Sequence, residues 1–409
     1  MHSRCFAALA FAAIVSVAMN ASVAQPLAVG TDQGDHWVGT WGTSPQLTEP
    51  RNLPPPPGLT SNTLRQIVQV SIGGEKLRVR FSNVFGTNPV TMSSVHLALA
   101  AGGSAIKTNT DRALTFQGKP SVTIQAGESV VSDPVDFVLT PLTDLAVAIE
   151  FGDTSAAVTG HPGSRTTSYL KAGDWVSASE LSEAAKTEHW YILTGIDVVA
   201  KDASAAVVAL GDSITDGRGS GTDKNDRWPD NLARRLQADK GLADIAVLNQ
   251  GIGGNCVLHG GLGPTALSRF DRDVLSQSGA RWLIVLEGVN DIGGSRGTNS
   301  PVADELIAAY GKMIVQAHAR NIRVYGATIT PFGGSFYDRP GHETTRTTVN
   351  DWIRTSGKFD AVIDFDASVR DPQNPSHLSP AADSGDHLHP NEAGYKIMAE
   401  AINLDSFRN

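Results

Sequence analysis

The residues of this chain that could do chemistry together are one serine, two histidines and two aspartates. Ser213 stands in a Gly-Asp-Ser corner directly after an apolar run, and a loop near the C-terminus holds His387 and His389. A serine hydroxyl becomes a nucleophile when a base removes its proton, and the base needs a carboxylate on its other imidazole nitrogen. Asp386 can reach His389 across one turn, and Asp383 is the candidate partner of His387. The pattern predicts serine attack on a carbonyl carbon, with either histidine as the base.

Attack on a carbonyl group also requires hydrogen-bond donors that stabilise the oxyanion that forms. A glycine-rich turn, Asn249 to Asn255, and the amide of Asn290 each follow an apolar run and are candidates for this role. Each feature also has an interpretation without chemistry: Ser213 as a helix N-cap, the glycines as a plain turn and Asn290 as an Asx-turn. A metal site made by His387, His389 and a carboxylate is a further alternative.

The elements that must position these residues change character near Lys201. From there strand-like runs alternate with helix-like runs, which predicts a doubly wound parallel sheet with binding loops at the carboxyl ends of its strands. Helices are expected between Pro301 and Arg320, and from Pro390, as the first helical residue, to Ile402. The predicted strands are 205–210, 245–249, 282–287, 322–329 and 361–365.

From about Arg65 to Ala200 the hydrophobic pattern has a period of two. Such alternation indicates half-buried strands, and many short strands with turns between them predict an antiparallel β-sandwich. The pair Gly73-Gly74, between two alternating runs, predicts a hairpin turn. The predicted strands are 66–72, 76–81, 90–98, 113–117, 121–125, 135–139, 145–151 and 190–199, and the domain boundary is expected near residues 196–205.

The first residues have the pattern of a secretory signal. Arg4 supplies a positive charge, residues 5–19 are mostly apolar, and small residues precede a cleavage site between Ala24 and Gln25. We therefore expect a secreted protein, extracellular or periplasmic. The apolar run is shorter than a spanning helix needs, so no membrane span is expected.

Composition limits the partners. The chain has 33 Lys and Arg against 42 Asp and Glu, a formal net charge of −9, which argues against nucleic acid or an anionic membrane as the main partner. Signal cleavage would leave one cysteine, Cys256, which we expect to be buried and not a nucleophile. The sequence carries no signal for the oligomeric state.

Four segments together resemble the SGNH branch of the GDSL hydrolase family, over about residues 205–405. Gly-Asp-Ser-Ile-Thr (211–215) is similar to the first block of the family, and Asn-Gln-Gly-Ile-Gly-Gly-Asn (249–255) to the second. Gly-Val-Asn-Asp (288–291) is similar to the third, and Asp-His-Leu-His-Pro (386–390) to the last. The first block carries Ile214 where the family name implies leucine.

The resemblance implies a flavodoxin-like α/β fold and a role for each site residue. Ser213 would be the nucleophile, His389 the base and Asp386 the carboxylate that orients it. The oxyanion hole would consist of three donors: the backbone N–H groups of Ser213 and Gly254, with Gly253 one step away, and the side chain of Asn290. No metal or organic cofactor is required.

The N-terminal half, with Trp37-Val38-Gly39-Thr40-Trp41-Gly42 near its start, resembles the jelly-roll-like sandwich joined to this hydrolase domain in some secreted esterases. Several such enzymes remove acetyl groups from plant polysaccharides. We therefore predict a signal peptide at 1–24, an accessory β-sandwich at 25–200 and a catalytic domain at 201–409.

The predicted function is ester hydrolysis through an acyl-enzyme, with an acetylated polysaccharide or oligosaccharide as the substrate. Three alternatives remain open. They are a lipolytic or broad short-chain carboxylesterase, an O-acyltransferase, and a non-catalytic binding protein on the same scaffold.

Overall fold

The computed structural model describes residues 34–155, 157–295 and 301–408. The predicted signal peptide therefore lies outside the described residues. Within these ranges, no helix combines the length and the apolar character needed to cross a membrane.

The strands before residue 200 pair in antiparallel fashion throughout the described ranges. They are β1 Trp37–Gly42, β2 Gln46–Leu47, β3 Asn62–Gln69, β4 Gly74–Ser82, β5 Val90–Gly102, β6 Ala105–Ile106, β7 Arg112–Ala113, β8 Val122–Ile124, β9 Ser129–Val131, β10 Val135–Leu139, β11 Asp144–Phe151, β12 Thr159–His161, β13 Ser168–Ala172, β14 Ala185–Thr187, β15 Trp190–Tyr191 and β16 Leu193–Val199. One sheet has the order β1-β16-β4-β10, with β9 beside β4. A second has the order β14-β13-β3-β11-β5-β6, with β7 and β8 beside β5, and a third has the order β15-β12-β2.

The strands after residue 200 form a parallel sheet, and helices alternate with them. The strands are β17 Ala205–Gly211, β18 Ile245–Gly251, β19 Ala280–Leu286, β20 Arg323–Ala327 and β21 Ala361–Ile363. The helices are α1 Ser213–Asp216, α2 Trp228–Ala238, α3 Ala266–Phe270, α4 Val289–Gly294, α5 Val302–His318, α6 His342–Thr355, α7 Phe365–Val369 and α8 Glu392–Glu400. The sheet order β18-β17-β19-β20-β21 is 2-1-3-4-5 in order of appearance, which is the flavodoxin-like order. The predicted parallel sheet is confirmed.

The hairpin predicted at Gly73-Gly74 is wrong. Strand β3 pairs with β11 and β13, whereas β4 pairs with β16, β10 and β9, so the two glycines carry the chain from one sheet to another. They are small because neighbouring backbone comes very close. A Cβ at Gly73 would lie 2.2 Å from the Leu139 carbonyl oxygen, and one at Gly74 would lie 2.8 Å from that of Val199.

Two element boundaries near the predicted site also differ from expectation. Asp212, not Ser213, caps helix α1, since its carboxylate accepts the N–H of Ile214 at 2.9 Å. Pro390 is not the first helical residue, because α8 begins after Asn391, whose side chain accepts the N–H of Gly394. In both cases a short side-chain acceptor ends the preceding loop and satisfies a free N–H group.

Strand β1 was not predicted as a strand, because five of its six residues are buried and no polar alternation marks it. It packs against β18, the edge strand of the parallel sheet. Gly39 fits against Leu248, since a Cβ there would come within 2.9 Å of that side chain. On the same edge, the N–H of Val247 donates to the Ser71 hydroxyl at 3.0 Å. The N-terminal sheets thus cover an edge that would otherwise expose unpaired backbone groups.

Candidate active site

A sharp turn at the end of β17 presents Ser213. Gly211 ends this fully buried strand, and a Cβ there would lie 2.0 Å from the Thr215 hydroxyl, so the turn requires glycine. Ser213 is the first residue of the four-residue helix α1, which Gly217 ends with a φ of 100°. The first N–H groups of a helix have no partner within it, so the N–H of Ser213 is open to an incoming group.

Three side chains form a continuous hydrogen-bonded chain at this turn. The Ser213 Oγ lies 2.8 Å from His389 Nε2, and His389 Nδ1 lies 2.6 Å from an Asp386 carboxylate oxygen. Ser213 is 6% exposed and His389 is 4% exposed. The other Asp386 oxygen accepts the backbone N–H groups of His389 and Leu388, at 2.9 and 3.1 Å. The carboxylate is therefore fixed in place, and the arrangement can move a proton from the serine to the imidazole.

The competing histidine lies elsewhere. His387 Nδ1 lies 2.6 Å from Asp383, the partner that the sequence suggested for it. The His387 side chain is half exposed. The structure brings His389, and not His387, to Ser213. Among the described residues, no group of three or more His, Cys, Asp or Glu side chains is arranged as a metal site.

Two neighbouring glycines after β18 have different backbone environments. The N–H of Gly253 donates to the Asp216 carboxylate at 3.0 Å and is therefore occupied. Gly254 has a φ of 72°, in the left-handed region that favours glycine. Within the described part of the chain, its N–H donates no hydrogen bond. Of the two candidates, Gly254 is thus the one with a donor to spare.

The amide of Asn290 is oriented from both ends. Its Nδ2 donates to the Asn255 carbonyl oxygen at 2.8 Å, and its Oδ1 accepts the Tyr337 hydroxyl at 2.9 Å. This pairing leaves one amide N–H available. Asn290 lies inside helix α4, so the Asx-turn interpretation does not apply.

A buried arginine ties the three loops together. The Arg269 side chain is fully buried in helix α3. It donates to the carbonyl oxygens of Gly211 and Gln250 at 3.0 and 2.6 Å, and to the Asn255 side chain at 3.0 Å. It also contacts Glu287 at 3.2 Å, at the end of β19. One cation therefore holds the segments that carry Ser213, Gly254 and Asn290 in a common arrangement.

The electrostatics of the histidine and its partner favour a base that works in mild acid. Burial lowers the pKa of His389 below its ordinary value, although the hydrogen bond that its Nδ1 donates to Asp386 raises the pKa, and the nearby Arg218 and Arg165 lower it further. Burial would raise the pKa of Asp386, but the N–H and imidazole of His389 hold it at about 2. The pair therefore consists of a neutral imidazole and an ionised carboxylate at neutral pH.

Buried carboxyl groups lie behind the serine turn. Burial raises the pKa of Asp212 to about 7 and raises that of Glu287 well above its ordinary value. Burial, with Asp291 and Glu287 nearby, also raises the pKa of the Cys256 thiol to about 12, so this cysteine is not a nucleophile at neutral pH. Burial therefore disfavours negative charge on these carboxyl groups behind the serine turn.

Sequence reasoning missed Arg269, Tyr337 and Asp216. Arg269 had no detectable signal, because two of its partners are backbone carbonyl groups that any residue carries. Tyr337 stands far from Asn290 along the chain and belongs to no recognised block. Asp216 stands one residue beyond the Gly-Asp-Ser-Ile-Thr block, and its acidic character just after the serine was the one signal available.

Comparison with known proteins places this site in the matched part of the chain. Residues 209–397 match the model of the GDSL-like lipase/acylhydrolase family, and this range contains all the predicted site residues. No curated protein matches the chain. Similar solved structures include a GDSL-like lipase from Bacteroides thetaiotaomicron, which is 20% identical, with 50% of this chain and 88% of that chain covered and a TM-score of 0.38. A catalytic mutant of an acetylxylan esterase from Geobacillus stearothermophilus is 22% identical, with 49% and 94% covered and a TM-score of 0.38.

The pH dependence of ester hydrolysis should report the environment of His389. Because its pKa lies below the ordinary value, kcat/KM should fall only when the pH drops below the usual range of a free histidine. Arg218 lies 3.9 Å from Asp386 and lowers the pKa of His389, so Arg218→Gln should move the acidic limb of the profile to higher pH. The measurement is the profile of kcat/KM from acidic to neutral pH. Lys358→Gln, which removes an exposed charge before β21, is the control and should leave the limb in place. A limb that does not move in Arg218→Gln contradicts the assignment of His389 as the base.

Proposed function

We propose that this protein, whose residues 209–397 match the GDSL-like lipase/acylhydrolase family, is a carboxylic ester hydrolase that removes short acyl groups, acetyl above all, from a polysaccharide or oligosaccharide. The observation that carries the catalytic part is the hydrogen-bonded chain from Ser213 through His389 to Asp386. The preference for short acyl chains is inferred from the side chains beside the oxyanion donors. The assignment of a carbohydrate as the alcohol part is inferred from the surroundings of the site.

In the first half of the reaction, the Ser213 oxygen attacks the ester carbonyl carbon while its proton passes to His389 Nε2. The carbonyl oxygen becomes an oxyanion, which accepts hydrogen bonds from the N–H groups of Ser213 and Gly254 and from the Asn290 amide. The intermediate collapses and the C–O bond to the alcohol breaks. The alcohol leaves with the proton from His389, and the acyl group stays on Ser213.

In the second half, water repeats these steps on the acyl-enzyme. His389 takes a proton from the water as its oxygen attacks, and the carboxylic acid leaves when the bond to Ser213 breaks and the serine regains a proton from His389. Asp386, with a pKa of about 2, remains a carboxylate throughout and stabilises the imidazolium that forms in each half.

Two exposed apolar side chains lie beside the residues assigned to the oxyanion hole, and we assign them to the acyl side of the site. Leu262 is 40% exposed and lies over Gly254, where a Cβ would come within 3.1 Å of it. Its backbone is fixed, because its N–H donates to the Gly254 carbonyl oxygen at 2.9 Å. Phe336, also exposed, packs on the ring of Tyr337 at a centroid distance of 4.3 Å. A leucine held this close to an oxyanion donor leaves room for a short acyl chain, which supports acetyl over long-chain substrates.

The support for a carbohydrate as the alcohol part of the ester is less direct. Four of the seven tryptophans are buried, and Trp175 is the most exposed one in the described part of the chain, so it is the tryptophan best placed to stack on a sugar ring. Buried residues of the N-terminal sheets and of the parallel sheet belong to one hydrophobic cluster. We infer that the two larger N-terminal sheets face each other and form the predicted β-sandwich. Export through residues 1–24 would place the enzyme where polysaccharides are found.

Loss of the Asn290 side chain should lower kcat by about 10²–10³, the usual effect of removing one oxyanion donor. The measurement is kcat for nitrophenyl acetate with Asn290→Ala. Tyr337→Phe is the matched comparison, because it removes the hydroxyl that orients Asn290 and leaves the donor in place. Its loss should be clearly smaller. An unchanged kcat in Asn290→Ala would remove Asn290 from the oxyanion hole.

The substrate is tested by comparing acetate release from acetylated xylan with hydrolysis of acetyl and long-chain nitrophenyl esters. We expect acetate release, little long-chain hydrolysis, and loss of both acetyl activities in Ser213→Ala, because the serine carries the acyl group. A preference for long chains that Ser213→Ala abolishes would retain the mechanism and replace the carbohydrate with lipid. Activity that persists in Ser213→Ala contradicts the nucleophile assignment.

Leu262→Ala tests the acyl side directly. If this side chain limits the acyl chain, its removal should raise the ratio of kcat/KM for butyryl over acetyl esters by about 10-fold, the usual scale for fitting extra methylene groups. Val315→Ala, on the exposed face of α5, is the control and should not change the ratio. A fall in the ratio would mean that Leu262 binds long chains, as expected of a lipolytic enzyme.

A further inference from the structure

A buried histidine from the N-terminal β-sheets reaches the turn that carries Ser213. His161, at the end of β12, is 3% exposed and lies on Asp216, the last residue of helix α1, which is 2% exposed. Its Nε2 is 2.9 Å from one Asp216 carboxylate oxygen, and its Nδ1 is 2.9 Å from the Ser44 carbonyl oxygen. Both ring nitrogens thus face acceptors.

This geometry assigns a hydrogen bond to each ring nitrogen of His161. A neutral imidazole carries one N–H, and a carbonyl oxygen can only accept, so the proton on Nδ1 is used for Ser44. The contact between Nε2 and Asp216 then requires a second proton, carried by the ring or by the carboxyl group. His161 and Asp216 are therefore joined by a hydrogen bond inside the protein.

The second oxygen of Asp216 faces the predicted oxyanion hole. It accepts the N–H of Gly253 at 3.0 Å, and Gly253 directly precedes Gly254. Neighbouring backbone is packed closely against both the carboxylate and the main chain of Asp216. A Cβ at Gly163 would lie 1.9 Å from Asp216, and one at Gly251 would lie 2.3 Å from its backbone nitrogen. The carboxylate has little freedom to take another position.

We propose that His161 is a positioning residue for catalysis: through Asp216 and the N–H of Gly253 it sets the direction of the Gly254 N–H that binds the oxyanion. The N-terminal β-sheets therefore contribute to the oxyanion hole without touching the substrate. This inference rests on the proposed role of Gly254 as an oxyanion donor, but not on the identity of the natural ester.

A cavity of about 30 Å³, which has room for one water molecule, adjoins the pair formed by His161 and Asp216. It is lined by Trp41, His161, Asp216 and Arg227 among others.

Two substitutions of His161 separate positioning from packing. In His161→Gln the amide nitrogen takes the place of Nε2 and can still donate to Asp216. In His161→Asn the amide nitrogen takes the place of Nδ1, donates to Ser44 and leaves Asp216 without its partner. Both variants replace the ring by an amide, and asparagine is shorter by one methylene group, so the melting temperature of each variant measures the effect on packing separately from the effect on kcat.

The experiment measures kcat and KM for nitrophenyl acetate with the full chain, together with the melting temperature of each variant. We expect His161→Asn to lower kcat by about 10- to 100-fold with little change in KM, since a donor that is misplaced loses most of its effect on the transition state. His161→Gln should recover most of kcat. His96→Gln, which breaks the 3.0 Å pair of His96 with Asp111 in the N-terminal sheets, is the control and should leave kcat unchanged.

Equal losses of kcat in His161→Asn and His161→Gln, or an unchanged kcat in folded His161→Asn, would overturn the proposal. If His161→Asn does not fold, Asp216→Asn replaces it, because an asparagine can keep the contacts to both His161 and Gly253. It should retain kcat within about threefold, and a large loss in the folded variant would overturn the proposal. The assay uses nitrophenyl acetate, so failure on acetylated xylan would count against the proposed substrate alone. Full activity of Asn290→Ala would count against the oxyanion hole itself.

Discussion

The site depends on a single buried cation. Parallel strands bring backbone carbonyl groups and acidic side chains to one edge of the sheet, and burial of such groups without donors is costly. Arg269 supplies up to five N–H donors at this point and bonds the loops after β17 and β18 and the acid after β19. It also reaches the hydroxyl of Ser44 in the N-terminal segment, at 2.8 Å. The relative position of nucleophile and oxyanion donors therefore follows from the fork geometry of one guanidinium.

Much of this arrangement could be predicted from sequence, because the predictive signals lie within short segments of the chain. The parallel strands are continuous apolar runs, and the Gly-Asp-Ser turn, the glycine turn after β18 and the Asp-x-x-His loop each carry their chemistry within a few residues. The contacts that join these segments could not be predicted, since Arg269 bonds backbone carbonyl groups and His161 meets Asp216 across 55 positions. Composition alone does not show which distant segments will meet.

The glycines also show that long-range contacts cannot be predicted from sequence. A glycine pair between two alternating runs is typical of a hairpin, yet Gly73 and Gly74 are small because the backbones of Leu139 and Val199 pass beside them. Gly211 and Gly163 likewise leave room for Thr215 and Asp216. A sequence shows that a position carries no side chain, but the tertiary fold decides which element occupies the space that this leaves.

The covered edge of β18 has a consequence for how such a protein can change over evolutionary time. The β1 strand fills a groove on β18, Ser71 bonds Val247, and His161 reaches Asp216, so three separate contacts match the two parts of the chain to each other. A recombination event that exchanged one part for that of a distant homologue would break all three matches at once. The halves are therefore expected to be inherited as a pair, and substitutions at their shared boundary to occur in compensating sets.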